Sequence, residues 1–359
     1  MKIRHSLSVV TVLTLVVGGC SGASRVKLAE HTGGSAALYQ QFQAFDGRSG
    51  QPISFAEVAQ RCGKADVVLF GELHSHSVCN AVEAQLFHAL MQRSRPAALA
   101  MEFFERDTQA ALDAYLAGKS DEAAFMTATR QNRDYLLAHR PLIELCRTAG
   151  APIIAANAPR RLVREYRMSK MPFDEFRKSR SAEDQRWLPR TSEHLPGPYF
   201  DRFVEVIRHH PPAPAAATSA PALLPLTQTG DAANAAMGNP VATPKVDPFI
   251  VSFRPQLLWD DSMSESVADF RAAHGDHRVM LVVGRFHVAS EGGTLQKFRQ
   301  RRPSDRVCTV VFSSRESATF ALDNDDTHSA DIVICGLQPP EKTDRPAAPA
   351  TMPSSAPAR

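Results

Sequence analysis

An α/β fold, a predominantly parallel sheet flanked by helices, follows from three features of this 359-residue sequence. Short apolar runs rich in aliphatic residues alternate with stretches of helical period, the order in which crossover helices join parallel strands. The runs carry no internal polar residues, as buried strands require. Each of the first four stops at a glycine or a polar side chain, where open α/β sheets place their ligands.

The first strand is Val67-Val68-Leu69-Phe70, ended by Gly71 and followed by Glu72, Leu73, His74, Ser75 and His76. Val78, Val82, Leu86 and Leu90 then recur every fourth residue, predicting a helix with one apolar face, which Ser77 is suited to cap. His76 and His88 read as exposed. The second strand, residues 97–101, is ended by Glu102. Asp107 opens a helix bearing Leu112, Tyr115 and Leu116, and Gly118 can close it. A helix over 136–149 leads to the third strand, 151–156, which ends at Asn157-Ala158-Pro159-Arg160.

A helical region separates the third and fourth strands. It reaches residue 210 and is interrupted by 211–245, where Pro, Ala, Thr, Gly and Asn leave no period and predict a disordered insertion. Pro255 is predicted to open a helix with Trp259, Met263, Val267 and Phe270 on its core face. The fourth strand, Val279-Met280-Leu281-Val282-Val283, stops at Gly284-Arg285-Phe286-His287. A short helix around Leu295 and Phe298, strands over 307–312 and 332–334, and a Pro- and Ala-rich tail, 339–359, complete the chain. Residues 38–338 therefore read as one domain, interrupted by the insertion.

Composition excludes little else. Hydrophobic content of 43% and charged content of 22% are ordinary for a globular protein. A net charge of +3 and a basic run, Arg299-Gln300-Arg301-Arg302, without interleaved aromatics argue against nucleic acid as a partner. At the amino terminus, Lys2 and Arg4 precede an apolar run over 7–17 and then Gly18-Gly19-Cys20, the pattern of a secretory signal peptide over 1–20. Its end resembles a bacterial lipobox, which implies that Cys20 carries the lipid. Ser21 resembles the residue of lipoproteins sorted to the outer membrane, facing the periplasm or the cell surface. Residues 21–37 then form a tether. Cys62, Cys79, Cys146, Cys308 and Cys335 remain; they show no CxxC spacing, which argues against a zinc cluster. Their odd number leaves at least one free or paired between chains in an oxidising space.

If the sheet is parallel, Glu72 and His74 after the first strand, Glu102 after the second, Asn157 and Arg160 after the third, and His287 after the fourth converge on one edge. The glycines of the two Gly-x-x-His turns allow sharp reversal and close approach. Glu72, His74, Glu102 and His287 are a sufficient donor set for a divalent metal and hydrolytic chemistry. Glu102 can equally pair with Arg106 or Arg160. As ligand-facing residues, His74 and His287 should be replaceable together without loss of the fold.

Phe70-Gly71-Glu72-Leu73-His74, Met101-Glu102-Phe103-Phe104 followed by Gln109, Asn157-Ala158-Pro159-Arg160, Leu258-Trp259-Asp260-Asp261-Ser262-Met263 and Gly284-Arg285-Phe286-His287 together resemble the ChaN family of haem-binding lipoproteins. The resemblance implies an α/β fold, membrane anchoring, a role in haem-iron uptake, and haem held as a cofacial pair at a homodimer interface. The wider superfamily includes the Tiki metalloproteases and erythromycin-esterase-like hydrolases, so a metal-dependent hydrolase is the alternative. No motif selects the haem axial ligand among Tyr115, Tyr135, Tyr166 and Tyr199.

Overall fold

The computed structural model describes residues 35–192, 197–209 and 248–339. The signal peptide, Cys20, the insertion over 211–245 and the tail beyond residue 339 lie outside the described residues. So does the stretch read as a tether, apart from its last three residues, which begin helix α1 (Ser35–Tyr39).

One sheet of eight strands organises the chain. Its order is β2-β1-β8-β7-β3-β6-β4-β5. β3 (Val67–Glu72) lies in the middle, paired in parallel with β7 (Val307–Arg315) on one side and β6 (Arg278–Gly284) on the other. β4 (Ala97–Glu105) and β5 (Ile153–Asn157) extend the parallel sheet beyond β6, and β8 (Ile332–Leu337) extends it beyond β7. The amino-terminal hairpin, β1 (Phe42–Asp46) and β2 (Pro52–Ile53), adds an antiparallel edge.

Side-chain alternation divides the core between the two faces. Val68, Phe70, Met280 and Val282 pack with α2 (Phe55–Lys64), α3 (Ser77–Met91) and the helices that follow β4. Val67, Leu69, Val279 and Leu281 face α12 (Pro248–Ala273) and α13 (Gly293–Arg301) through Met263, Val267, Leu295 and Phe298. All six residues of β3 are buried, which is why its sequence shows no alternation. The chain leaves β3 toward β4 on one face and returns through β6 to β7 on the other. The carboxyl ends of β3, β6 and β4 therefore flank a switch point of the kind where α/β sheets hold ligands.

Four local expectations give way. His76, not Ser77, caps α3, its Nδ1 accepting from Cys79 N–H at 3.3 Å, and it is buried rather than exposed. The helix expected over 136–149 is two, α6 (Arg133–Ala138) and α7 (Arg140–Ala149), broken at His139 because Pro141 cannot donate into a continuous ladder. Pro255 lies inside α12, whose first turns are held by Phe253 and Phe249 packing against α11 (Pro198–His209). Tertiary packing there outweighs the proline start signal. β4 runs on to Glu105, with an irregularity after Met101, so Glu102 lies within the strand. Between β4 and α6 the chain forms a 3₁₀ turn, α4 (Gln109–Leu116) and α5 (Glu122–Ala128). After β5 come α8 (Arg160–Ser169), α9 (Phe173–Lys178) and α10 (Ala182–Trp187).

Candidate functional site

A small pocket of about 120 Å³ opens at the carboxyl edge of the sheet. Glu72, His74, Glu102, Asn157 and Arg160 line it, joined by Phe103, Tyr135, His139 and Trp259. His287 lies just behind it.

Glu72 is the fixed centre. Its carboxylate is fully buried and takes His74 Nδ1 at 2.7 Å on one oxygen and His139 Nε2 at 3.1 Å on the other. Burial works against the charge, but the two imidazoles outweigh it and hold the carboxyl down to about 2. His74 responds in the opposite sense. Its partial burial lowers it, yet the Glu72 hydrogen bond and the charge of Glu102 raise it to about 9. Its side chain is 48% exposed, so among the two predicted histidines it is the one a ligand can reach. The ring stands edge-on to Phe103, with centroids 5.4 Å apart.

Behind Glu72 lies Glu83 of α3, which the sequence reading did not single out. Burial and the neighbouring Glu72 charge push its carboxyl well up, and it accepts from Cys79 Sγ at 3.2 Å. A signal existed, because Glu83 follows Cys79 by one helical turn on the apolar face of α3. His139 had no such signal. It is a single histidine whose role follows from the helix break.

Glu102 joins the two Gly-x-x-His segments. Its Oε2 accepts from Gly284 N–H at 2.7 Å, and its Oε1 lies 3.8 Å from His287 Nε2. A methyl at Gly284 would sit 3.2 Å from His74 Cε1 and 3.5 Å from Glu102 Oε2. Gly71 and Gly284 are thus needed for close packing, not for reversal; neither has a left-handed φ, and Ser75 (φ 60°) makes the turn instead. Neither expected arginine pairs with Glu102. Arg106 bonds Glu265, and Arg160, 55% exposed, lies 3.5 Å from Glu105. Asn157 is buried, its Oδ1 accepting from Ala158 N–H.

His287 is not a surface ligand. It is 5% exposed, and its Nδ1 is 2.6 Å from Asp260 Oδ1. Asp260, itself fully buried, also accepts from Tyr199 Oη and Thr294 Oγ1, each at 2.7 Å. Burial opposes protonation of His287, but the Asp260 charge prevails and raises it. Asp260 belongs to the Leu258–Met263 motif, yet nothing in that motif assigns it to His287.

Two donor sets were anticipated, and the structure alters both. Glu72, His74, Glu102 and His287 gather on one edge, but they do not form one set of donors in mutual reach. Asp260 holds His287 in the core with Nε2 on the Glu102 side, and Glu72 is shared between His74 and His139. Among the described residues, the set that brings three donor atoms within 4.8 Å of one another is Glu72, Glu83 and His139. All four candidate tyrosines are buried. Tyr115 bonds Glu144, Tyr199 bonds Asp260, and Tyr135 lies 3.4 Å from Glu122. Burial raises every one of these phenols, the opposite of what a tyrosinate ligand needs.

The family described as haem-binding uptake, Tiki superfamily, ChaN matches this chain over residues 58–298. No curated protein sequence matches. Among solved structures, ChaN of Campylobacter jejuni, a structure of cofacial haem binding, is similar at 15% identity and a TM-score of 0.52, over 82% of this chain and 96% of that one. An erythromycin esterase variant in its open conformation is similar at 11% identity and a TM-score of 0.41, over 82% and 97%. The likeness to the Campylobacter jejuni structure speaks to the fold; the match over residues 58–298 speaks to the family. The chain belongs to the ChaN family of the Tiki superfamily, a family of haem-binding uptake proteins.

Proposed function

We propose that this protein is a lipid-anchored haem-binding protein of haem-iron uptake, with His74 as its ligand to iron. The observation that carries the reading, within a haem-binding family, is a half-exposed imidazole whose Nδ1 is fixed on a buried carboxylate. That arrangement leaves Nε2 as the donor and sets the ring plane, as second-shell carboxylates do for metal-binding histidines. Phe103 and Trp259 supply apolar wall, and exposed Arg160 suits a propionate. Bound haem supplies the iron as cargo. The pocket of about 120 Å³ is far below the roughly 300–1,000 Å³ that encloses a drug-sized ligand, so a porphyrin would be held at its mouth by His74, Phe103, Trp259 and Arg160 and would not be enclosed. That would leave room for a second haem on a second copy of the chain, as a cofacial pair in a homodimer requires.

Titration with haemin is expected to give a saturable red-shifted Soret band. His74→Ala should weaken binding about tenfold or more, equivalent to about 1.4 kcal/mol. Saturation at equal affinity in both proteins would rule out His74 as the ligand.

Attachment to the outer membrane rests on the lipobox-like sequence that ends at Cys20; no helix among the described residues is long and apolar enough to cross a membrane. Cys20→Ala should release the chain from the membrane fraction or leave it unprocessed. Unchanged fractionation and processing would defeat the lipoprotein reading.

A second reading, a metal-dependent hydrolase, is favoured by the buried donors Glu72, Glu83 and His139, of which Glu72 and His139 line the pocket and Glu83 lies behind them. A divalent metal held there would polarise a substrate oxygen or a water. Elemental analysis of protein purified without chelator separates the two: a stoichiometric divalent metal with no haemin binding would select the hydrolase.

A further inference from the structure

We infer that Cys62 and Cys308 close a disulfide when the chain folds in an oxidising medium. Cys62 comes from α2 and Cys308 from β7, and their sulfurs are 3.8 Å apart across a sequence separation of 246 residues. Among the described residues this is the one pair of cysteines in sulfur contact. A disulfide would draw the sulfurs to about 2.05 Å, a movement on the scale of side-chain rotation. The bridge would fasten α2, the first long helix of the domain, to the parallel sheet.

The two thiols differ in access, and that gives the exchange its order. Cys62 is fully buried, whereas Cys308 is 8% exposed and forms part of the wall of a groove of about 900 Å³. Arg48, Arg61, Lys64, Arg299 and Arg306 line that groove, against Asp46, Glu291 and Asp331. The excess of cations favours an anionic low-molecular-weight disulfide such as oxidised glutathione. The Cys308 thiolate attacks the glutathione disulfide, forming a mixed disulfide and releasing one glutathione thiolate. Cys62 then attacks the Cys308 sulfur, forming the protein disulfide and releasing the second. Two cysteine protons end on the two glutathiones, which take up the two electrons. The hydrogen bond to Cys308 and burial both hold the Cys62 thiol protonated in the finished fold, so the second step runs while α2 is still docking on β7, with Cys308 already on its strand beside the groove.

In the cell this inference rests on the export reading; in the test tube it does not. The full chain carrying Cys20→Ala has five cysteines. Refolded from denaturant in a glutathione redox buffer, then denatured and alkylated, it should show three free thiols, with a peptide pair joining Cys62 to Cys308. Cys62→Ser and Cys308→Ser should each show four. Five free thiols after refolding, or a bridge between other cysteines, would overturn the pairing. The same Cys20→Ala chain, acid-trapped from cells, provides the second arm: five free thiols there, with closure in the refolded sample, would sink the export reading while leaving the pairing intact.

Discussion

His287→Ala is expected to lower folding stability by about 3–5 kcal/mol, the usual cost of removing one partner of a buried charged pair. His74→Ala should cost about 1.5–3 kcal/mol, the worth of one hydrogen bond to a charged group. The sequence places the two histidines in matching turns and suggests that both face a ligand and can be lost together. The structure divides their roles. Removing the His287 imidazole leaves Asp260, fully buried, with only the neutral Tyr199 and Thr294 donors. Removing His74 leaves Glu72 bonded to His139, with the vacated space open to the pocket. Urea denaturation of the two variants measures the difference. Because His287 is raised in the folded chain, its contribution is complete below the unfolded histidine value of about 6.5 and is lost as pH rises through the folded value. The deficit of His287→Ala should therefore shrink on the alkaline side. Equal losses for the two variants would show that the Asp260 pair does not hold the frame.

The parallel sheet was legible because its central strands are buried on both faces and so are apolar at every position. The runs Val67–Phe70 and Val279–Val283 show this most clearly, with the charged Glu72 and Arg278 standing at the strand ends. The amino-terminal hairpin escaped for the opposite reason. β2 is two residues long, and β1 mixes buried Phe42 with half-buried Gln43 at an edge, which leaves little period to detect. Boundaries failed where tertiary contacts overrode local signals, as at Pro255, where Phe253 packs on α11 ahead of the proline.

The edge on which the site forms was legible from strand direction alone, because parallel strands bring their carboxyl ends together whatever follows them. Which residues touch was not. Glu72 finds His139 across 67 residues, and His287 finds Asp260 across 27, contacts that no spacing encodes. Arg160 and Glu102, two residues of one edge, miss each other because β4 continues to Glu105, which takes the arginine instead.

Replacing Glu72 by Gln tests the centre of that arrangement. The substitution keeps the shape but removes the charge that His74 and His139 share. In metal- and haem-free protein, the His74 Cε1 proton should titrate near 9 in the parent and fall toward 6.5 in Glu72→Gln. Stability should fall as well. A carboxyl held at about 2 against an ordinary 4.5 corresponds to on the order of 3 kcal/mol, present above about 4.5 and lost as pH falls toward 2. In the variant that acid-side loss should vanish, so the two proteins converge in stability at low pH and separate above it. Ligand binding reports the same charge independently, because an imidazole must lose its proton before it can bind iron. Haemin affinity in the parent should climb with pH up to about 9, and the climb should end near 6.5 in Glu72→Gln. A His74 resonance already titrating near 6.5 in the parent would mean that Glu72 does not govern it, and the assignment of His74 as the tuned ligand would fall with it.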